Sequence, residues 1–208
     1  MIIPSIHLRD ISKKYNQYYL YKNFSLDIFP QDKIVVTGNN GSGKSTLLKI
    51  IIGLVSPTSG KVDYVHNNFI IEKSEWYKYI SVAAPYMSSI EEFTVLELIN
   101  HLYAFRKYQT DKEKLLNYLE LDKHLNKPIK QFSSGMKQKT KLLFAIMDIA
   151  PILLLDEPTS NLDANTIKWY QDIIEKWAKH KTIIVFSNSQ KHEYLFCQKE
   201  INLNEFLI

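Results

Sequence analysis

The chain has 208 residues, 45% hydrophobic and 23% charged, which suits one domain with a packed core, or one domain carrying an inserted subdomain. Its longest apolar stretches, Leu47–Val55 and Ile149–Leu155, fall far short of the roughly 20 residues a membrane-spanning helix needs. Cys197 is the single cysteine and excludes an internal disulfide, and a net charge of +4 without a basic run or recognition motif argues against a nucleic-acid partner.

In chain order, Ile6–Ile11 and Phe24–Phe29 read as short strands flanking a polar, tyrosine-rich loop (Tyr15, Tyr18, Tyr19, Tyr21). No basic start followed by an apolar run precedes them, so no signal peptide is expected and the chain reads as cytosolic. Lys33–Thr37 is a β-branched run that stops at glycine, the pattern of a buried strand entering a tight turn. Lys44–Leu54 reads as a helix ended by Gly53 and Pro57, and Lys61–Val65 and Phe69–Ile71 read as edge strands. Three helical segments follow with no strand between them: Glu91–Lys107, Asp111–Glu120 and Ser134–Ile149. Ile152–Leu155 and Thr182–Phe186 are wholly apolar strands with a helix, Asn165–His180, between them. This alternation predicts an α/β fold, a parallel sheet covered by helices: a core of about 1–85 and 141–208, and a helical insertion at about 86–140.

Gly38-Asn39-Asn40-Gly41-Ser42-Gly43-Lys44-Ser45-Thr46 matches G-x-x-x-x-G-K-[ST] between a strand and a helix. Glycines let backbone N–H groups curl around phosphates, and the following helix points its positive end at the same charge. Lys44 suits the β- and γ-phosphates of ATP, and the Ser45 hydroxyl suits Mg²⁺. Downstream, the apolar run Ile152–Leu155 ends in Asp156 and Glu157, carboxylates delivered to the carboxyl edge of the sheet. Asp156 fits the Mg²⁺ site and Glu157 fits the positioning and polarising of an attacking water.

With these motifs in order, the chain resembles the ATP-binding cassette (ABC) ATPases from Tyr15 to Asn188. Phe132-Ser133-Ser134-Gly135-Met136-Lys137-Gln138 resembles that family's signature, which opens a helix, and Ser160-Asn161-Leu162-Asp163 resembles its D-loop. Tyr15 stands where the family has an aromatic residue that stacks on adenine. The resemblance implies a P-loop NTPase (RecA-like) parallel-sheet core with N-terminal antiparallel strands and an inserted helical subdomain. It also implies a head-to-tail pair of cassettes, two copies or a copy and a homologue. ATP is then held between the phosphate loop of one and Ser133 and Gly135 of the other. The implied role is a transporter ATPase, peripheral to the inner face of the cell membrane, powering a separate integral membrane subunit.

Three positions depart from the family pattern. Tyr86 stands where the family has a glutamine that contacts Mg²⁺, Asn188 where it has a histidine touching the γ-phosphate, and Ser134 where the signature has its first glycine. Asn188 keeps a neutral amide donor but cannot become charged, and Tyr86 offers one hydroxyl. With Lys44 and Glu157 present, these changes predict slow but real hydrolysis. His66, His101, His124, His180 and His192 have no spacing that suggests a metal or catalytic pair. The aromatics Phe93, Tyr103, Phe105 and Tyr108 are more simply read as core than as a docking groove. Two other functions compete: a soluble ABC-type ATPase acting on ribosomes or DNA, and a regulatory subunit that binds ATP without turnover. One cassette and an insertion of only about 55 residues disfavour the first.

Overall fold

The computed structural model describes residues 2–87, 90–121 and 124–206. The chain divides into two compact units, one of Met1–Ser81, Ala150–Asp156 and His180–Ile208, the other of Val82–Ile149 and Glu157–Lys179. The second is wider than the 86–140 insertion expected from the sequence.

In the first unit, β1 (Ser5–Tyr15) and β2 (Tyr18–Ile28) form an antiparallel hairpin in register Ile6↔Ile28 and Leu8↔Leu26. Their inward residues Ile6, Leu8, Phe24 and Ile28 are fully or nearly fully buried while their neighbours are not, the alternation of a one-sided sheet. The expected tyrosine-rich loop is therefore corrected. Tyr15 pairs with Tyr18, and the turn is only Asn16-Gln17, with Asn16 in the left-handed region at φ 53°. Tyrosine suits strands as well as loops, and Tyr21 is wholly buried. β4 (Ser59–His66) lies between β1 and β5 (Phe69–Ile70) in a sheet of order β2-β1-β4-β5, so of the two expected edge strands β5 is one and β4 is internal.

The second sheet has the order β6-β7-β8-β3-β9, with β3 (Lys33–Thr37), β6 (Ile80–Ala83), β7 (Ile152–Asp156), β8 (Thr182–Ser187) and β9 (Lys199–Asn202). β3 pairs in parallel with both β8 and β9, and β7 with β8. Every residue of β7 and β8 is buried, which explains their unbroken apolar runs. The sequence pattern missed β6 and β9, four residues each, and β9 carries exposed charge. α1 (Lys44–Ile51) follows β3 and stops before Gly53, which has φ 78°.

The second unit is helical. α2 (Val95–Phe105) opens with a capping box between Thr94 and Glu97, which sets its start four residues later than composition suggested. α3 (Lys112–Leu119) is capped by Asp111, α4 (Ser134–Met147) by Ser133 and α5 (Ala164–Trp177) by Asp163, each side chain accepting from the backbone N–H three residues on. Buried Leu115, Leu119, Leu142, Leu143, Ile146 and Ile174 supply apolar faces for α3, α4 and α5. Arg106 pairs with the nearly buried Asp148 at 2.7 Å. Of the four aromatics expected in the core, Phe105 departs from it at 75% exposed, while Phe93, Tyr103 and Tyr108 are half-buried, Tyr108 packing edge-on against the buried Phe144 with ring centres 6.0 Å apart. Among the described residues, no helix is long and apolar enough to cross a membrane.

Candidate functional site

β3, β7, β8 and β9 run parallel, so their carboxyl ends and the loops after them share one edge. The phosphate loop leaves β3 there, Asp156 ends β7, and Asn188 follows β8. Lys44, only 6% exposed, donates from Nζ to the Gly38 carbonyl (2.8 Å), the Asn39 carbonyl (3.1 Å) and, at short range, Asn188 Oδ1. The other end of the Asn188 amide donates to Asn40 Oδ1 at 2.6 Å. Ser45 Oγ donates to Asp156 Oδ2 at 2.7 Å, and Asp156 is 2% exposed. The sequence-predicted Gly38, Asn39, Asn40, Lys44, Ser45, Asp156 and Asn188 are thus gathered at one place.

Loop shape explains the glycines. Gly43 has φ 91°, and a Cβ there would lie 3.0 Å from the Tyr21 ring that packs beneath the loop. A Cβ on Gly38 would lie 2.6 Å from Ser42 Oγ. That hydroxyl is buried without a partner among the described residues, as is Tyr21 Oη. An unpartnered buried hydroxyl in a glycine-rich loop at a helix N-terminus fits an anion site. Burial also pushes the Tyr21 phenol well above its ordinary value, so its proton stays on. On the hairpin, the Tyr15 ring is half exposed with Lys13 Nζ 5.0 Å from its centre.

The second unit carries the other candidates. Glu157 has φ 45°, a left-handed backbone for a residue that rarely adopts it, and its side chain accepts from Ser160 Oγ at 3.4 Å. Ser133, Ser134 and Gly135 open α4 and line a cleft of about 400 Å³ with Lys139, Asn161 and Asp163. Gly135 has no room to grow, since a Cβ would sit 3.0 Å from the Asn161 carbonyl. Ser134 is exposed in ordinary helical backbone, so this position makes no demand for glycine. Gln138 donates to the Pro158 carbonyl at 2.9 Å, tying α4 to the segment after Glu157. Tyr86 is 38% exposed in the turn after β6.

A protein-family model described as "ABC transporter" matches residues 21–160. This chain belongs to the ABC transporter family. The lantibiotic transport ATP-binding protein SrtF of Streptococcus pyogenes is 31% identical over 199 residues, covering 88% of this chain and 79% of SrtF. The bacitracin transport ATP-binding protein BcrA of Bacillus licheniformis is 28% identical over 186 residues, 88% of this chain and 61% of BcrA. The chain therefore spans about three fifths of BcrA's length. Among solved structures, the dimeric bacterial ABC transporter cassette MJ0796 superposes with a TM-score of 0.78 at 25% identity, covering 95% of this chain and 94% of that one.

Within this ABC cassette, Asn204 escaped sequence reasoning although its side chain touches the phosphate loop. Its Oδ1 accepts from the Asn39 N–H at 3.1 Å. The two residues are far apart in sequence, and only the parallel pairing of β3 with β9 brings them together. No local signal marks Asn204, because β9, the strand that delivers it, is only four residues long and shows no period.

Proposed function

We propose that this cassette binds Mg²⁺-ATP at the β3–β7–β8 edge, hydrolyses it slowly, and thereby drives a separate integral membrane subunit that selects the cargo. The observation that carries this reading is the convergence of Lys44, Ser45, Asp156 and Asn188 on one phosphate-sized loop. The loop N–H groups and Lys44 hold the β- and γ-phosphates, and the half-exposed Tyr15 ring stacks on adenine. Ser45 and Asp156 offer hard oxygen donors within 2.7 Å of each other, the donor chemistry Mg²⁺ requires, with Tyr86 a poorer third candidate. When bound, the ion neutralises phosphate charge. Glu157 orients the attacking water and takes up its proton. Its left-handed backbone supports that role, since strain of this kind costs on the order of 1–3 kcal/mol and gathers at functional sites.

The start of α4, with Ser133 and Gly135, serves the γ-phosphate held by a second cassette, so ATP favours dimerisation and hydrolysis reverses it. The dimeric MJ0796 cassette supports this arrangement, as does a second MJ0796 structure, 26% identical to this chain, with ADP and Pi bound. The names of SrtF and BcrA, both transport ATP-binding proteins, support the transport role. Neutral Asn188 in place of histidine supports slow turnover.

The test is Glu157→Gln. Steady-state phosphate release should fall roughly 10²–10³-fold while ATP binding remains, and light scattering with Mg²⁺-ATP should show a dimer. Undiminished phosphate release in this variant would remove Glu157 from the reaction.

A further inference from the structure

Lys44 and Asn204 hold opposite ends of one peptide group. The Gly38–Asn39 peptide offers its carbonyl to Lys44 Nζ at 2.8 Å and its N–H to Asn204 Oδ1 at 3.1 Å. A trans peptide is a rigid plane with these two groups pointing in opposite directions, so fixing one end fixes the other. We propose that Asn204 is a positioning residue for Lys44, acting through the Gly38–Asn39 peptide and so setting the affinity of the phosphate loop for ATP.

Asn204 is itself held. β9 pairs in parallel with β3 so that Asn202 lies opposite Thr37, and the chain beyond Asn202 therefore leaves the sheet beside the phosphate loop. There it makes a short 3₁₀ turn, Leu203–Phe206. Leu203 is fully buried, and Phe206 packs edge-on against Phe24 with ring centres 4.9 Å apart. The Asn204 N–H donates to Asn202 Oδ1 at 3.1 Å, which aims the Asn204 amide at the loop. Asn204 Oδ1 would lie 3.4 Å from a Cβ on Gly38, so the loop's first residue passes against it in van der Waals contact. On the inner side, the Ser42 N–H closes the turn on the Asn39 carbonyl at 3.1 Å. Asn39 is thus pinned at both of its backbone groups, outward by Asn204 and inward by Ser42.

The bond between Asn204 and the loop is neutral, while the groups it orients answer the charge of a triphosphate. Its loss leaves the peptide free to rotate and Lys44 less well prepared. This is a ground-state binding effect, so it falls on KM rather than kcat.

The inference rests on the ATP-binding reading above, and the experiment separates the two. Labelled-ATP titrations and steady-state hydrolysis would be run on the whole chain as Asn204→Ala, Asn39→Pro, the double variant and Lys44→Ala. Proline at 39 removes the N–H that Asn204 accepts and tests the same bond from its other end, should Asn204→Ala fail to fold. Asn204→Ala should bind ATP roughly three- to tenfold more weakly, the effect of one lost neutral hydrogen bond, with kcat within about twofold of the parent, and Asn39→Pro should bind ATP at least as weakly. The double variant should be no worse than the weaker single, because both remove one bond. Additive losses, a fall in kcat matching the rise in KM, or parent-like binding by Asn204→Ala while Lys44→Ala has lost ATP would each overturn the assignment. Parent-like binding by Lys44→Ala would instead overturn the ATP-binding reading itself.

Discussion

The two units handle polar chemistry in opposite ways. In the first, the charged and amide groups are already interlocked: Lys44 with two loop carbonyls and Asn188, Asn188 with Asn40, Ser45 with Asp156. In the second, the residues that open α4 face a cleft, and their contacts are ordinary helix capping and packing. An interlocked site holds its shape without ligand but must exchange partners to take one in. An open helix start needs no exchange, and contributes only when something with negative charge is brought to it. On the proposed reading, the first unit sets affinity and the second responds once the ligand has arrived.

Lys44→Ala should give the largest effect, because it takes the one ammonium out of the interlocked set. Charge-assisted hydrogen bonds contribute about 1.5–3 kcal/mol each, so loss of even one such contact with phosphate predicts at least a tenfold and more realistically a hundredfold weaker titration with labelled ATP. The fold should survive, since the side chain answers loop carbonyls and not the apolar core. An unchanged ATP affinity would mean the loop's self-contained bonding is all it is for.

Next in size is the pair of departures that fall one in each unit. Asn188→His alters the interlocked side, for a ring cannot accept from Lys44 and donate to Asn40 in the geometry that one amide spans. Tyr86→Gln alters an exposed turn of the second unit. If slow turnover stems from these residues, the double variant should release phosphate several-fold faster than the parent, with Asn188→His alone supplying most of the gain. A slower double variant would show a site tuned around tyrosine and asparagine.

What the sequence disclosed divides along physical lines. β3, β7 and β8 were legible because both faces of a central parallel strand are buried, which writes an unbroken apolar run. The phosphate loop was legible because its chemistry is local: every glycine and the lysine lie within nine residues. The hairpin strands were cut short because Tyr15, Tyr18, Tyr19 and Tyr21 crowd a turn that has no glycine to mark it. β6 and β9 are too short to show a period. The orientation of Asn188 and the whole contribution of Asn204 were unreadable, since both depend on strand order and not on spacing. Ser134 looked like a defect on paper, and its exposure removes the reason for concern.

The smallest effects probe the second unit by setting adjacent residues of α4 against each other. Gly135→Ala introduces a Cβ about 3.0 Å from the Asn161 carbonyl, a backbone atom with little freedom to withdraw. Overpacking of this kind costs about 1–3 kcal/mol. It should lower the melting temperature and push apart α4 and the Asn161 segment, weakening Mg²⁺-ATP-driven dimerisation in a Glu157→Gln background. Ser134→Gly runs the other way, restoring the residue of the family pattern at a position with room for a side chain. The backbone there is already helical, and glycine gains nothing from its extra freedom. It gives up helix propensity instead, about 0.5 kcal/mol relative to serine in a helix interior and less in this first turn. Ser134→Gly should therefore leave dimerisation within about twofold of the parent and lower the melting temperature by no more than a degree or two. Light scattering and a thermal melt on both variants settle the matter. If Ser134→Gly strengthened the ATP-bound dimer markedly, the serine side chain would be standing in the way of the partner's nucleotide, and the cleft would be tighter in the assembled pair than the single chain makes it.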